Sequence, residues 1–317
     1  MSSLAATRET TLALYERILL IRRFEEAAYR RYEQGEIAGT IHASIGQEAV
    51  AVGVISALAP DDTVFTHHRG HGHALAKGVD PGRLMAELFG RRDGVSGGKG
   101  GSMHVADVEC GFLGSFAVVG GSIPLAVGVA LADRVLARDR VCAVFFGDGA
   151  VNQGVFYESL NLAAIWRLPV FFVCENNGFA ISVRNDYATG GDGICSRAAA
   201  FGVPAEAVDG QDVGAVRDAA ARLVDHCRST GPTLLECRTY RFMGHSRGDP
   251  PHGLYRSQDE VAEWRERDPL VLQAAGLEPE DVEPMERRVA EALERALAFA
   301  RSSPPPAVDD VTKDVWG

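Results

Sequence analysis

Long apolar runs are missing from this 317-residue sequence: no stretch of about 20 apolar residues occurs, so no membrane-spanning helix is expected. The first 21 residues carry Arg8, Glu9, Glu16 and Arg17, which leaves no uncharged core of signal-peptide type. Paired cysteines are missing too. Cys110, Cys142, Cys174, Cys195, Cys227 and Cys237 are scattered, with no C-x-x-C. That excludes a zinc cluster or disulfide scaffold and points to a reducing, cytoplasmic setting. Positive charge is short, with 32 Lys+Arg against 43 Asp+Glu and a net charge of −11. Nonspecific nucleic-acid binding is therefore not expected. Any bound phosphate must be held locally, by a cation, backbone amides or a few placed basic groups. No G-x-G-x-x-G follows a first strand, which disfavours a Rossmann dehydrogenase.

What is present is ordinary globular composition, 46% hydrophobic and 24% charged, enough for a large core. Helical periodicity or composition predicts helices over 9–34, 46–58, 81–89, 122–137 (with Ser122 as N-cap), 152–166, 213–228, 259–267 and 284–301. Short apolar runs predict strands at 63–66, 141–146, 170–174 and 233–239. Residues 67–73 (HHRGHGH) and 94–104 (GVSGGKGGSMH) read as loops. Strands alternating with helices predict an α/β fold: a doubly wound, mostly parallel sheet with helices on both faces. The chain reads as one domain, 1–317, with 257–317 as a helical C-terminal extension.

The chemistry concentrates at strand ends. Gly147-Asp148-Gly149 follows one apolar strand and Asn176-Asn177 follows the next. Neighbouring parallel strands end on the same edge, where ligands bind. A carboxylate, an amide oxygen and backbone carbonyls make the hard oxygen set that Mg²⁺ prefers. Glycine backbone and a helix start near Asn152 suit a phosphate. Either half alone reads as a turn; both at the ends of consecutive strands favour a metal–diphosphate site. Arg69 can fork onto phosphate oxygens, and His71 can donate to an oxygen or exchange a proton near neutrality. A zinc site on this loop is disfavoured, because no cysteine or carboxylate cluster accompanies it. His245 sits in a Gly-bounded loop after a strand, where catalytic groups gather. Lys99 fits a phosphate contact or a solvated loop equally, and Val119 reads as a core valine.

These motifs resemble a family. GQEAVAVG (46–53), HRGHGHALAKG (68–78), GGKGGSMH (97–104), FFGDGAVNQGVFYESLNLAAIWRLPVFFVCENN (145–177), VDGQDV (208–213), GPTLLE (231–236) and TYRFMGHSRGDP (239–250) look like the alpha subunits of the decarboxylating component in 2-oxo acid and acetoin dehydrogenase complexes. The resemblance implies thiamine diphosphate and Mg²⁺ as cofactors. It implies Asp148, Asn177 and the main-chain oxygen of Phe179 as metal ligands, and the amides of Gly149 and Ala150 on the diphosphate. Ala117 and Val119 would lie by the aminopyrimidine. His68, Arg69 and His245 would bind the cofactor, Arg69 at its diphosphate, and His71 and His245 would be catalytic. Implied partners are a beta subunit (two alpha plus two beta), a lipoyl-bearing acyltransferase as acceptor, and a small 2-oxo acid or acetoin. Ser246 occupies a position phosphorylated in mitochondrial relatives, but a serine does not establish regulation. Glu175 is as in pyruvate and acetoin relatives. The HRGHGH loop looks like acetoin members and GHSRGDP like pyruvate members. SFAVVGG (115–121) departs from the family's NGIVGG-like pattern, so the substrate pocket differs there. A non-oxidative thiamine enzyme subunit and a non-catalytic scaffold are the competing readings.

Overall fold

A computed structural model describes residues 3–246 and 248–313, with side chains from Thr10 onward except Val311. The last four residues of the expected C-terminal extension lie outside these. Six parallel strands form the sheet: β1 (Thr63–His67), β2 (Phe112–Phe116), β3 (Cys142–Gly147), β4 (Val170–Asn176), β7 (Ala205–Asp209) and β8 (Thr233–Arg238). Between β4 and β7 in sequence, β5 (Phe179–Ala180) and β6 (Val183–Arg184) make a small separate hairpin. The sheet order is β2-β1-β3-β4-β8-β7. Period-2 alternation sorts the side chains: Ala143 and Phe145 face one core, and Val144 and Phe146 face the other. Both faces are buried, which is why β3 and β4 read as continuous apolar runs.

One face carries the long helix Ser3–Glu33, the helices Glu48–Ser56, His71–Lys77 and Val213–Ser229, and the C-terminal helix Pro279–Ser302 packed on Pro81–Leu88. The other carries Ser122–Val135 and Gly154–Ile165. The α/β, doubly wound expectation is thus met, with a helical C-terminal region. After β1 the chain leaves toward β2, whereas β3 lies on β1's other side. The strand order therefore reverses between β1 and β3, and a crevice opens outside their carboxyl ends.

Several local expectations change. His71 to His73 are helical rather than loop. The helix cap near 122 is Gly121, in an αR conformation, and Ser122 makes no capping bond. A 3-10 turn, Asp148–Asn152, precedes the helix, which starts at Gly154 rather than near Asn152.

Candidate active site

A cavity of about 250 Å³ lies at the switch point, walled by the ends of β1 and β3, the loop after β4, and the segment after β8. It brings together His68, Arg69, Val119, Asp148, Gly149, Ala150, Asn177, Phe179 and His245. Ala117 is half-buried beyond β2 and does not line it. Val119 corrects the core-valine expectation: it is 52% exposed at the cavity wall.

Asp148 is buried, and its Oδ2 has no hydrogen-bond partner. Burial pushes its carboxyl up to about 6, only partly offset by backbone amides and Arg241. An ionised carboxylate in such a place lacks a cation. Asn177 Nδ2 donates to Gln47 Oε1 at 2.8 Å, which fixes the way the amide faces. Its Oδ1 accepts the Phe179 N–H at 3.2 Å and keeps a second lone pair. At Gly149, a Cβ would stand 2.7 Å from Ala180 Cβ, so only glycine lets the hairpin close over the turn.

On the opposite wall the imbalance has the other sign. Arg69 is buried, donating to Ala43 O and His245 O, each at 2.8 Å. Arg241 donates to Tyr255 Oη at 2.8 Å. Among the described residues, neither guanidinium is hydrogen-bonded to a carboxylate. Burial and mutual repulsion push Arg69 down to about 9, and burial lowers Arg241. The two point at His245 Nδ1 from 3.2 and 3.3 Å. A guanidinium only donates, so Nδ1 is the acceptor and His245 is neutral. Burial and the two arginines push it down to about 4. His42 and His68 pack edge-on nearby. Both are lowered by burial first and Arg69 second, His42 to about 3. Each keeps one buried ring nitrogen without a partner. An orphaned buried carboxylate oxygen and two buried guanidiniums without a carboxylate hydrogen bond among the described residues fit a metal–phosphate group.

His71 corrects the catalytic expectation drawn from its loop. It is fully buried, away from the cavity wall, with Nδ1 on Glu25 Oε2 at 2.9 Å and Nε2 near Ser102 Oγ and O at 3.0 and 3.1 Å. His67 and His73 are likewise bonded to the buried Glu175 carboxylate. Of the histidines from 67 to 73, His67 and His68 border the cavity, and only His68 has a free ring nitrogen.

The glycine-rich loop is not part of the cavity. Buried Glu87 accepts N–H bonds from Ser96, Gly98, Gly100 and Gly101, at 2.8 to 3.0 Å. A Cβ at Gly100 would meet His104 O at 2.0 Å. Gln47, His42, His67 and Arg241 are site residues that motif reading missed. Arg241 and Gln47 lie inside segments already singled out, and His42 just before one.

Ile181 at the cavity and Val118 beside Val119 are exposed, and the two covering helices also expose Leu125, Val135, Leu162 and Ile165. Among the described residues, no helix is long and apolar enough to cross a membrane.

Comparison with known proteins matches residues 16–309 to the family described as dehydrogenase E1 component. The alpha subunit of an acetoin:2,6-dichlorophenolindophenol oxidoreductase from Cupriavidus necator is 42% identical, covering 99% of this chain and 96% of its own. A second such subunit, from Bacillus subtilis, is also 42% identical, over 99% and 95%. The pyruvate dehydrogenase E1 component subunit alpha of Rhizobium meliloti is 44% identical, over 98% and 90%.

Proposed function

The chain belongs to the dehydrogenase E1 component family, and from that premise we propose that it is the alpha subunit of a thiamine-diphosphate- and Mg²⁺-dependent dehydrogenase. It oxidatively decarboxylates a pyruvate-like 2-oxo acid and passes the acyl group to lipoamide on an acyltransferase. The observation that carries the reading is the buried Asp148 Oδ2 without a hydrogen-bond partner, in the same cavity as two buried guanidiniums that make no carboxylate hydrogen bond among the described residues. When bound, thiamine diphosphate supplies the nucleophilic carbon and the electron sink for decarboxylation.

The chain's own residues hold and orient. Asp148, Asn177 and the main-chain oxygen of Phe179 are the metal ligands of this reading, with Gln47 fixing the Asn177 amide. Arg69, with the amides of Gly149 and Ala150, takes the diphosphate. Arg241 adds the second positive charge. His245 and His68 stay neutral at the cavity wall, able to donate to an oxygen or hold a proton without repelling the metal. His71, which the sequence suggested as catalytic, instead positions the loop through Glu25. Val119 lies at the wall for the organic ring of the cofactor, and Ala117, two residues before it, does not line that wall.

The exposed apolar rim and helix faces favour a beta subunit closing the cavity, in an assembly of two alpha and two beta chains. We read residues 1–317 as a single domain, with 257–317 as its helical extension. Six free cysteines suit a reducing, cytoplasmic home. A second substrate reading, acetoin, is favoured by the neutral His42–His68–His245 cluster, which suits an uncharged hydroxyketone. The test is calorimetric titration of thiamine diphosphate, with and without Mg²⁺, into this chain co-expressed with its beta subunit. Turnover of pyruvate, branched 2-oxo acids and acetoin is then followed with an artificial acceptor. Absence of Mg²⁺-dependent binding in the assembled complex would refute the reading.

A further inference from the structure

We infer that Glu175 is a positioning residue that locks the metal-binding and diphosphate-binding halves of the cavity into one unit, through His67 and His73. The inference rests on the reading of the cavity as a Mg²⁺–diphosphate site.

β1 and β4 are not neighbours, because β3 lies between them. The two strands are coupled only indirectly, through their separate ladders to β3, and past the strand ends no backbone pairing joins Arg69, two residues after β1, to Asn177, just past the end of β4. The Glu175 carboxylate spans that gap. One oxygen accepts from His67 Nε2, and the other accepts from His73 Nε2 at 3.1 Å. His67 Nδ1 takes the backbone N–H of Arg69 at 3.1 Å. A backbone amide can only donate, so His67 Nδ1 must be the bare nitrogen and Nε2 must carry the proton. Glu175 is thus two residues from the metal side and one imidazole away from the backbone of the diphosphate side. It is buried, and so is His73, while the His67 side chain is 13% exposed. The comparable pair Glu25–His71 ties the same segment to the first helix, to Ser44 and to Ser102. It fixes the loop to the scaffold without linking the two halves.

The clamp makes a prediction that an ordinary buried ion pair does not. His73 Nδ1 faces the Thr66 hydroxyl at 3.2 Å, which can donate or accept. In Glu175→Gln the amide oxygen can keep His67, while its NH₂ donates to His73 Nε2 and His73 moves its proton to Nδ1. Every hydrogen bond survives although the charge is gone. In Glu175→Ala both are lost.

The experiment titrates Mg²⁺–pyrophosphate, a probe without the thiamine ring, into the co-expressed alpha–beta complex by calorimetry. Unliganded melting curves report the folded fraction separately. The Kd should rise about tenfold or more in Glu175→Ala and stay within about threefold in Glu175→Gln. His67→Leu should match Glu175→Ala. It cuts the link at a partly exposed position, so it carries the test if Glu175→Ala does not fold. Wild-type affinity in folded Glu175→Ala or His67→Leu, or equal loss in the Gln and Ala variants, would overturn the clamp. Failure of the wild-type complex itself to bind the probe would instead overturn the reading of the cavity.

Discussion

Two glycine-rich turns in this molecule have opposite fates. In the loop from Gly94 to Gly101, four backbone amides converge on one acceptor, and the chain supplies it: the Glu87 carboxylate fills the nest. In Gly147-Asp148-Gly149 the carboxylate is present but its Oδ2 is unpaired, and two buried guanidiniums of the same cavity make no carboxylate hydrogen bond among the described residues. The first turn is electrostatically complete and the second is not. Glycine density marks close backbone approach in both cases. Only the balance of buried polar partners separates a closed structural loop from an open binding site.

That contrast can be broken most sharply at Asp148. In the alpha–beta complex, Asp148→Ala should weaken Mg²⁺-dependent thiamine diphosphate binding about 100-fold or more, read by calorimetry. Unchanged affinity would place the open turn alongside the closed one. Next in size, Glu87→Ala should cost about 2 kcal/mol of stability by leaving buried amides unsatisfied. Chemical denaturation measures this, and the cofactor Kd of the folded protein should not move. A shift in that Kd would mean the two turns are coupled.

Within the histidine segment the contrast is finer. His71→Gln should lose about 1 kcal/mol, because it breaks the buried contact to Glu25. His68→Gln should leave melting unchanged and lower kcat/KM about tenfold. Reversal of that pattern would put His71 back among the catalytic residues. The smallest effect concerns pH. His42 and His245 are held down to about 3 and 4 by burial and then by neighbouring arginines. Their unfolded value is about 6.5. Between these values the unfolded chain binds protons that the folded chain refuses. Stability from these groups is therefore complete above about pH 6.5 and falls as pH drops toward 4. Replacing His42 with Gln should shrink the melting-temperature loss across that window by roughly 2 °C.

The sequence disclosed what depends on local pattern. β3 and β4 are continuous apolar runs because both faces are covered, and the turns that follow them carry the motif we read as a metal site. β2 and β7 escaped because FLGSF is short and glycine-broken, and the edge strand AEAVD is only partly buried. The histidines were harder. His67, His68, His71 and His73 look equivalent on the page, and what separates them is a distant carboxylate. Glu25 lies 46 residues from His71, and Glu175 lies 108 from His67 and 102 from His73. Arg241 was legible as part of a motif but not as a counterpart to Arg69, since nothing local shows that neither is hydrogen-bonded to a carboxylate among the described residues.

The exposed apolar residues Leu125, Val135, Leu162 and Ile165 also have a consequence for how the cell must make this protein. On the proposed pairing with a beta subunit, a chain synthesised in excess of that partner presents oily surface to the crowd around it, where self-association and proteolysis compete with correct pairing. Matched output of the two chains, as adjacent genes in one transcript would give, keeps the lifetime of the unpaired form short. Overproduction of this chain alone should leave most of it in the pellet, and co-production should bring it back into the supernatant.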